Sequence, residues 1–504
     1  MTTRRQFLTT SALAGAAALV ASPSFAEVHS DLPKKWDKTV DIIIIGTGFA
    51  GCSAALQAAS EGEKSILLLD KMPMPGGNSM INGGDLTAAG TDMQAKLGIK
   101  DNADILYQDM LKAGGYINHR ELARKVADES LANYEWCRDF VGVKFGRVNY
   151  HGGHSVKRSH QAVELSGAGI VVPMLKKLAT FGIKPQLKTK VEELYMVHNE
   201  VVGVKVREGY VFGKEDSGVV KNYRALKGVI IASGGFSNGV KMRQIHDPRL
   251  DERFTSTNQP GTTGEMIQAA QMIGAADVQM DWIQLGPWTS PDEQGFGQVP
   301  QFCERIIGYG LMVDPATGKR FFKETGNRKE RADAIIQVGH PVLILADEKN
   351  TKAMVADKTL QAGLANGAIK KFDTPEEIAK YYKMPEKAFI DQLNLWNSYV
   401  EKKLEHDPDL DCMIFKDAVP NIHPPYYVAR LWPRVHHTMG GLCINKYAQV
   451  LNARLVPIKH LYAAGEATGG VHGMVRLGSV AGADCITFGR EAARQCVKNK
   501  ADKI

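Results

Sequence analysis

The segment Gly46-Thr47-Gly48-Phe49-Ala50-Gly51 and the acid at Asp70 have the spacing needed to hold a dinucleotide. A GxGxxG turn lets the backbone pass close to a pyrophosphate. The helix after it offers free N–H groups and the positive end of its dipole to the phosphates. Gly46 suits the tight turn, Gly48 the approach of the phosphates, and Gly51 the close packing of helix on sheet. Asp70 lies 19 residues past Gly51, where an acid accepts hydrogen bonds from a ribose. Phe49, Ala50 and Lys71 flank these positions and are read as further contacts. The stretches Gly76-Gly77-Asn78 and Gly83-Gly84 lack the side chains that would keep a flat ring system at a distance. Ser233-Gly234-Gly235 and Ser479 join the same set of cofactor contacts.

Such residues need a parallel sheet to hold them. Residues 40–45 are an almost continuous apolar run and read as a buried strand. Residues 52–59 read as a helix, and 65–69 as a second buried strand ending at Asp70, which completes a βαβ unit. Residues 229–232 and 461–463 read as further strands, each followed by glycine, and 475–490 as a helix. The nucleotide fold therefore starts near the N-terminus and is completed near the C-terminus. The expected class is α/β: a Rossmann-like cofactor domain over 27–274 and 419–504, with an α+β capping domain inserted at 275–418. The insertion is richer in charge and aromatics and has a helix-like stretch over 375–404.

The chain has 504 residues, 44% of them hydrophobic, 23% charged and 50 of them glycine, enough for two or three domains with sizeable cores. The net charge of +7 is mild and no block of five like charges occurs, so nucleic-acid binding has no support. Arg4-Arg5-Gln6-Phe7-Leu8, an apolar run over 12–21 and Ser24-Phe25-Ala26 form a twin-arginine leader, with the mature chain expected to begin at Glu27 in the periplasm. The apolar run is far short of the ~20 residues that a membrane span needs, so stable insertion of the mature chain is not expected. The seven cysteines form neither CxxC nor CxxCH, so the chain has no c-type haem attachment site and no zinc-knuckle spacing, and their odd number leaves at least one thiol free.

Several segments together resemble the flavoprotein subunits of the fumarate reductase and succinate dehydrogenase family, in particular its soluble periplasmic branch. They are the GxGxxG turn with Asp70, Gly76-Gly77-Asn78, Ser233-Gly234-Gly235-Phe236, Ser256-Thr257-Asn258-Gln259-Pro260-Gly261 and Gly318-Lys319-Arg320-Phe321. To these are added Val435-His436-His437-Thr438-Met439-Gly440-Gly441, Ala464-Gly465-Glu466, and Gly469-Gly470-Val471-His472-Gly473 with Arg476. The resemblance implies FAD as cofactor, with Glu466 on its ribose. It implies that Arg476 and His436, with His437 as neighbour, hold a substrate carboxylate. It places a proton donor at Arg328 and a proton-relaying glutamate at Glu304. No histidine lies between Asp70 and His119, where relatives attach FAD covalently, so FAD is expected to be non-covalent.

Three departures from the family shape the expected activity. Gly286 and Cys303 stand where dicarboxylate reducers keep a histidine and a threonine for the far carboxylate. Ile307 replaces a second relay arginine, for which Arg305 or Arg331 are candidates. Trp282, Trp288 and Phe302 lie near the lost clamp. The expected substrate is an α,β-unsaturated monocarboxylate of acrylate, methacrylate, crotonate or cinnamate type. Hydride would come from FAD N5, a protonated His436 and Arg476 would stabilise the carboxylate, and Arg328 would protonate the α-carbon. On chemistry alone an arginine is a poor acid, so that role rests on the resemblance. Electrons are expected from a separate c-type cytochrome. Fumarate or urocanate reduction and L-aspartate oxidation are the alternatives.

Overall fold

The computed structural model describes residues 31–252 and 254–501. The leader read at 1–26 lies outside the described residues. Strand β1 (Lys38–Ile45) runs into helix α1 (Phe49–Ser60), which returns to β2 (Ile66–Leu69). A meander of β3 (Thr189–Val197), β4 (Glu200–Glu208) and the long β5 (Val219–Ile231) follows. Next come β6 (Ile283–Gly286), α2 (Val299–Ile306), β7 (Leu311–Val313), α3 (Arg328–Val338), β8 (Val342–Asp347) and β9 (Ile369–Phe372). Helices α4 (Pro375–Tyr382) and α5 (Glu386–Glu401) lead to β10 (Tyr426–Leu431), β11 (Arg434–Thr438), β12 (Gln449–Leu451), β13 (Pro457–Ala463) and α6 (Val480–Lys498).

The larger sheet has seven strands. Strands β2, β1, β5 and β13 run parallel. Residues 42–44 of β1 are fully buried, as expected of a strand covered on both faces. All four parallel strands end at one edge, where ligands bind in open α/β sheets. Gly46, Asp70, Ala232 and Ala464 follow them directly. Helix α1 is buried along almost its whole length, with α6 packed beside it. Gly51 is what allows α1 to sit so low, since a Cβ there would lie 1.9 Å from the Gly46 carbonyl oxygen. A separate three-stranded sheet (Phe145–Asn149, Ser159–Ala162 and Asp85–Thr87) flanks this domain and carries Asp85.

The second domain is a four-stranded sheet in the order β7-β8-β10-β9, all antiparallel. Helices α2 and α3 contribute to an apolar core on it that includes Phe302, Ile306, Ile335, Ile344 and Ala429. This sheet runs past the boundary read at 418, because Tyr426–Leu431 pairs residue for residue with Val342–Asp347. The neck is the antiparallel pair β6 and β11, Ile283 opposite Thr438 and Gly286 opposite Arg434. The helix-like stretch over 375–404 is two helices. Lys383 takes a left-handed φ of 56° and Pro385, which has no N–H to donate, precedes the second helix.

Gly51→Ala should lower unfolding free energy by about 1–3 kcal/mol through overpacking against Gly46. Thermal and urea unfolding measure this; an unchanged midpoint would mean that the helix shifts at no cost.

Candidate active site

The edge where the parallel strands end forms a groove lined by Gly46, Gly48, Phe49, Ala50, Asp70 and Lys71. Gly77, Asn78, Ser233, Gly234 and Glu466 continue it. Gly46 has a φ of +110°, a conformation closed to other residues in practice, and a Cβ there would strike the Ala232 carbonyl oxygen at 2.2 Å. Thr47 stitches the groove together. Its amide donates to Asp70 Oδ2 at 3.1 Å, its hydroxyl donates to the same oxygen, and that hydroxyl accepts the Gly76 N–H at 2.8 Å. Lys71 is paired with Glu265 at 2.5 Å along the same wall. Gly51, Gly76, Gly84 and Gly235 lie behind the lining and serve packing. At Gly235, for example, a Cβ would be 2.0 Å from Thr438 Oγ1. These features fit a dinucleotide with its phosphates at the α1 N-terminus.

The groove opens into a cavity, and Phe49, Asn78, Ser79, Glu466 and Cys485 line both. Gly83 and Ser479 line the cavity rather than the groove, and the Ser479 hydroxyl is shared with Thr87 and Ser159, each at 2.6 Å. The cavity floor brings together Arg328 and Glu304 from the second domain with His436, His437 and Arg476 from the neck and the first domain. Arg476 is fixed by donating to Gln284 Oε1 at 2.9 Å and to the Leu477 carbonyl at 3.0 Å, which leaves its Nε–H without a partner. Thr257 holds His436 Nδ1 at 2.8 Å. His437 Nδ1 faces Glu466 at 3.4 Å, and its Nε2 is unpartnered. Arg328 begins α3, lies 4.1 Å over the Trp288 ring and approaches Glu304 at 3.9 Å. Its Nε and one terminal nitrogen have no partner.

Glu304 has stronger partners than Arg328. Arg331 donates to Oε1 at 2.6 Å, and His151 Nδ1 meets Oε2 at 3.0 Å. Of the two residues considered for the missing arginine, Arg331 touches Glu304, whereas Arg305 pairs with Asp85 at 3.2 Å. Ile307 is packed in the apolar core.

Burial dominates the electrostatics. Burial and the like charge of Arg476 hold Arg328 well below the ordinary arginine range, and the positive end of α3 acts in the same direction. Burial pushes Arg476 down to about 10. Burial, Arg476 and Arg328 hold His436 well below the usual histidine range, and burial lowers His437 to about 4 despite Glu466. Burial and two neighbouring guanidinium groups thus bias His436 toward its neutral form, against the protonated form expected from the sequence. Burial alone would raise Glu304, but Arg331, His151 and Arg328 outweigh it and keep the carboxylate ionised. Two arginines and two imidazoles biased toward the neutral form make a pocket suited to an anion.

Gly286 and Cys303 do not line the cavity. Cys303 is fully buried in the apolar core with Phe302, because α2 turns Glu304 to the cavity and its predecessor away from it. Gly286 is a strand residue of the neck, and a Cβ there would sit 3.4 Å from the Trp288 indole. Thr289, at 3.3 Å, and Trp288 are thus the side chains that a residue larger than glycine at 286 would meet first. Trp282 lines a separate surface pocket. Sequence reasoning missed Asp85, His151, Phe296 and Gln301 in the lining, and gave no site role to Thr257 or Asn258 although it quoted their segment. The segment His151-Gly152-Gly153-His154 carried a signal for one of them, two histidines around a flexible turn.

A dinucleotide groove that opens at one end on an anion pocket is the layout of a flavin-dependent oxidoreductase. Residues 41–481 match the family described as FAD binding domain. An acrylate reductase flavoprotein subunit from Shewanella woodyi is 37% identical over 490 residues, covering 95% of this chain and 96% of that protein. A fumarate reductase (cytochrome) from Shewanella frigidimarina is 33% identical, covering 94% of this chain and 81% of that protein. The open conformation of a flavocytochrome c3 fumarate reductase superposes with a TM-score of 0.72 at 29% identity, covering 97% of this chain and 81% of that one. The chain belongs to the fumarate reductase family of FAD-binding flavoproteins. It is an FAD-dependent oxidoreductase, and the residues of the groove described above fit that cofactor.

Asp85 provides a test of the buried charges. Burial would raise its carboxyl, but Arg305 and His151 bring it down to about 2. A depressed carboxyl contributes stability above its unfolded pKa of ~3.9 and loses it as pH falls through the folded value. Between about pH 4 and 2 the wild type should lose roughly 2 kcal/mol more than Asp85→Asn. Urea unfolding across that range would show parallel curves if the pairing were unimportant.

Proposed function

We propose that this chain is an exported, periplasmic reductase of the C=C bond of an α,β-unsaturated monocarboxylate of acrylate, methacrylate, crotonate or cinnamate type, supplied with electrons by a separate c-type cytochrome. The observation that carries this reading is the one-sided cavity. Arg328 and Arg476 are the arginines that line it among the described residues, and Trp288 rather than Gly286 lines its wall. Phe296 stands near His436 on the same side, with ring centroids 6.1 Å apart, and Pro300 also lines the cavity. The remaining charges, Asp85, Glu304 and Glu466, are acidic and would repel a second carboxylate. The resemblance to an acrylate reductase subunit over nearly the full length of both chains supports the same substrate class. The twin-arginine leader supports export, and the lack of CxxCH supports a haem on another chain.

The residues divide the work. The fixed Arg476 fork and His436 receive the substrate carboxylate. Thr257 Oγ1 meets His436 Nδ1 at 2.8 Å and fixes the ring at the cavity wall. Bound in the groove of Gly46, Gly48 and Asp70, reduced FAD would supply the hydride for the β-carbon. Negative charge then grows on the carboxylate as it becomes enolate-like, where preorganised donors stabilise the transition state by about 3 kcal/mol each. Arg328, destabilised as a cation, donates a proton to the α-carbon, and Glu304 returns one to it. Trp288 packs its ring against the Arg328 guanidinium at 4.1 Å.

Anaerobic oxidation of reduced viologen by the FAD-loaded protein tests this directly. Acrylate, methacrylate, crotonate or cinnamate should turn over well and fumarate or urocanate poorly; rapid fumarate turnover would overturn the monocarboxylate reading. Arg476→Gln should lower kcat/KM by about 10²–10³. Trp288→Ala should shift the ratio of turnover toward fumarate, measured as paired kcat/KM values.

A further inference from the structure

Protonation at the α-carbon consumes one proton per turnover, and Arg328 and Glu304 are both buried. Their supply must cross to solvent. Arg331 holds Oε1 of Glu304 but is completely enclosed, and Glu304 outweighs burial to keep it charged. Arg305 does not touch Glu304. The other oxygen, Oε2, is the one nearer Arg328, and it is met by His151 Nδ1 at 3.0 Å. An ionised carboxylate only accepts hydrogen bonds, so His151 Nδ1 carries a proton. The far nitrogen of this ring, Nε2, is buried without a hydrogen-bond partner and faces Asp85 Oδ2 at 3.6 Å. His151 therefore stands between two carboxylates, and both it and Asp85 line the cavity. His151 and Asp85 belong to the first domain, Glu304 and Arg328 to the second, so this contact joins the domains.

We propose that His151 is the proton-entry relay of this enzyme, passing solvent protons to Glu304 for Arg328 in place of the arginine that Ile307 displaces. This rests on the role proposed above for Arg328. In each turnover Arg328 gives one N–H proton to the substrate α-carbon and takes one from Glu304. Cavity water protonates Nε2 of His151 on its Asp85 side as Nδ1–H passes to Glu304. The Nε2–H ring left behind resets by turning to the cavity, losing Nε2–H to water and taking a proton from water at Nδ1. No heavy-atom bond changes, and the sum is one proton moved from solvent to product. The charged and titratable groups around His151 are Asp85 and Glu304, which it meets directly, Arg305 behind Asp85, Arg328 and Arg331 beyond Glu304, and His154 on the same loop.

His151→Gln, which keeps a donor toward Glu304, provides the test. Steady-state turnover is measured with whichever unsaturated acid the wild type reduces fastest, fumarate included, so an error in substrate class leaves the test intact. We expect kcat to fall about 10²-fold with KM within threefold, equal FAD content, and loss of the alkaline limb of the wild-type pH profile. Free imidazole should restore part of the activity of His151→Ala. A kcat within threefold of wild type, or a loss confined to KM, would overturn the relay. Nitrogen-15 NMR of the FAD-loaded protein gives a readout independent of turnover. His151 should show a protonated Nδ1 whose signal shifts in Glu304→Gln; a bare Nδ1 would exclude the proposal even if no acid tried were reduced.

Discussion

The buried carboxylate of Glu304 is the interaction on which the site depends. It lies in a low-dielectric floor, and Arg331 and His151 hold its two oxygens while Arg328 stands within 4 Å. Taking such charges out of water is costly, and removing one partner of a buried set typically costs 3–5 kcal/mol because the remainder is left uncompensated. The carboxylate thus fixes the positions of α2, α3 and the His151 loop together. It also permits a second arginine near Arg476, since two guanidinium groups in one dry pocket would otherwise repel each other without relief.

The same arrangement divides the titratable groups into two kinds. Arg328, Arg476, His436 and His437 are all biased toward losing protons, and Glu304 and Asp85 toward staying ionised. A pocket whose donors are short of acceptors attracts an anion, and one whose arginine is destabilised as a cation can release a proton. Both tendencies come from burial first and from like charges second. Trp288 contributes to each by lining the cavity wall and by covering one face of Arg328.

Much of the cofactor half was legible because its signals are local. A strand, a GxGxxG turn, a helix and an acid at the end of the next strand lie within about thirty residues, and steric rules tie each glycine to its position. The anion pocket was legible only through a family resemblance, which located Arg328, Glu304, His436 and Arg476 but not what surrounds them. It marked Gly286 and Cys303 as the positions of a lost clamp, and neither lines the cavity. The first lies against the side chains of Thr289 and Trp288, and the second faces away on its helix. The end of the inserted domain was misplaced because a strand at 426–431 carries no local mark of which sheet it joins.

The amino-acid sequence by itself determined the nucleotide-binding half, the absence of a haem attachment motif, and the set of residues available for carboxylate chemistry. Those properties follow from spacing within one turn or one unit of supersecondary structure. Only the tertiary structure decided that His151 meets Glu304 across 153 residues of chain, that Arg331 rather than Arg305 reaches the same carboxylate, and that His436 is biased toward its neutral form by burial. The reason is that burial and charge proximity are properties of three-dimensional neighbours, which no run of adjacent residues encodes.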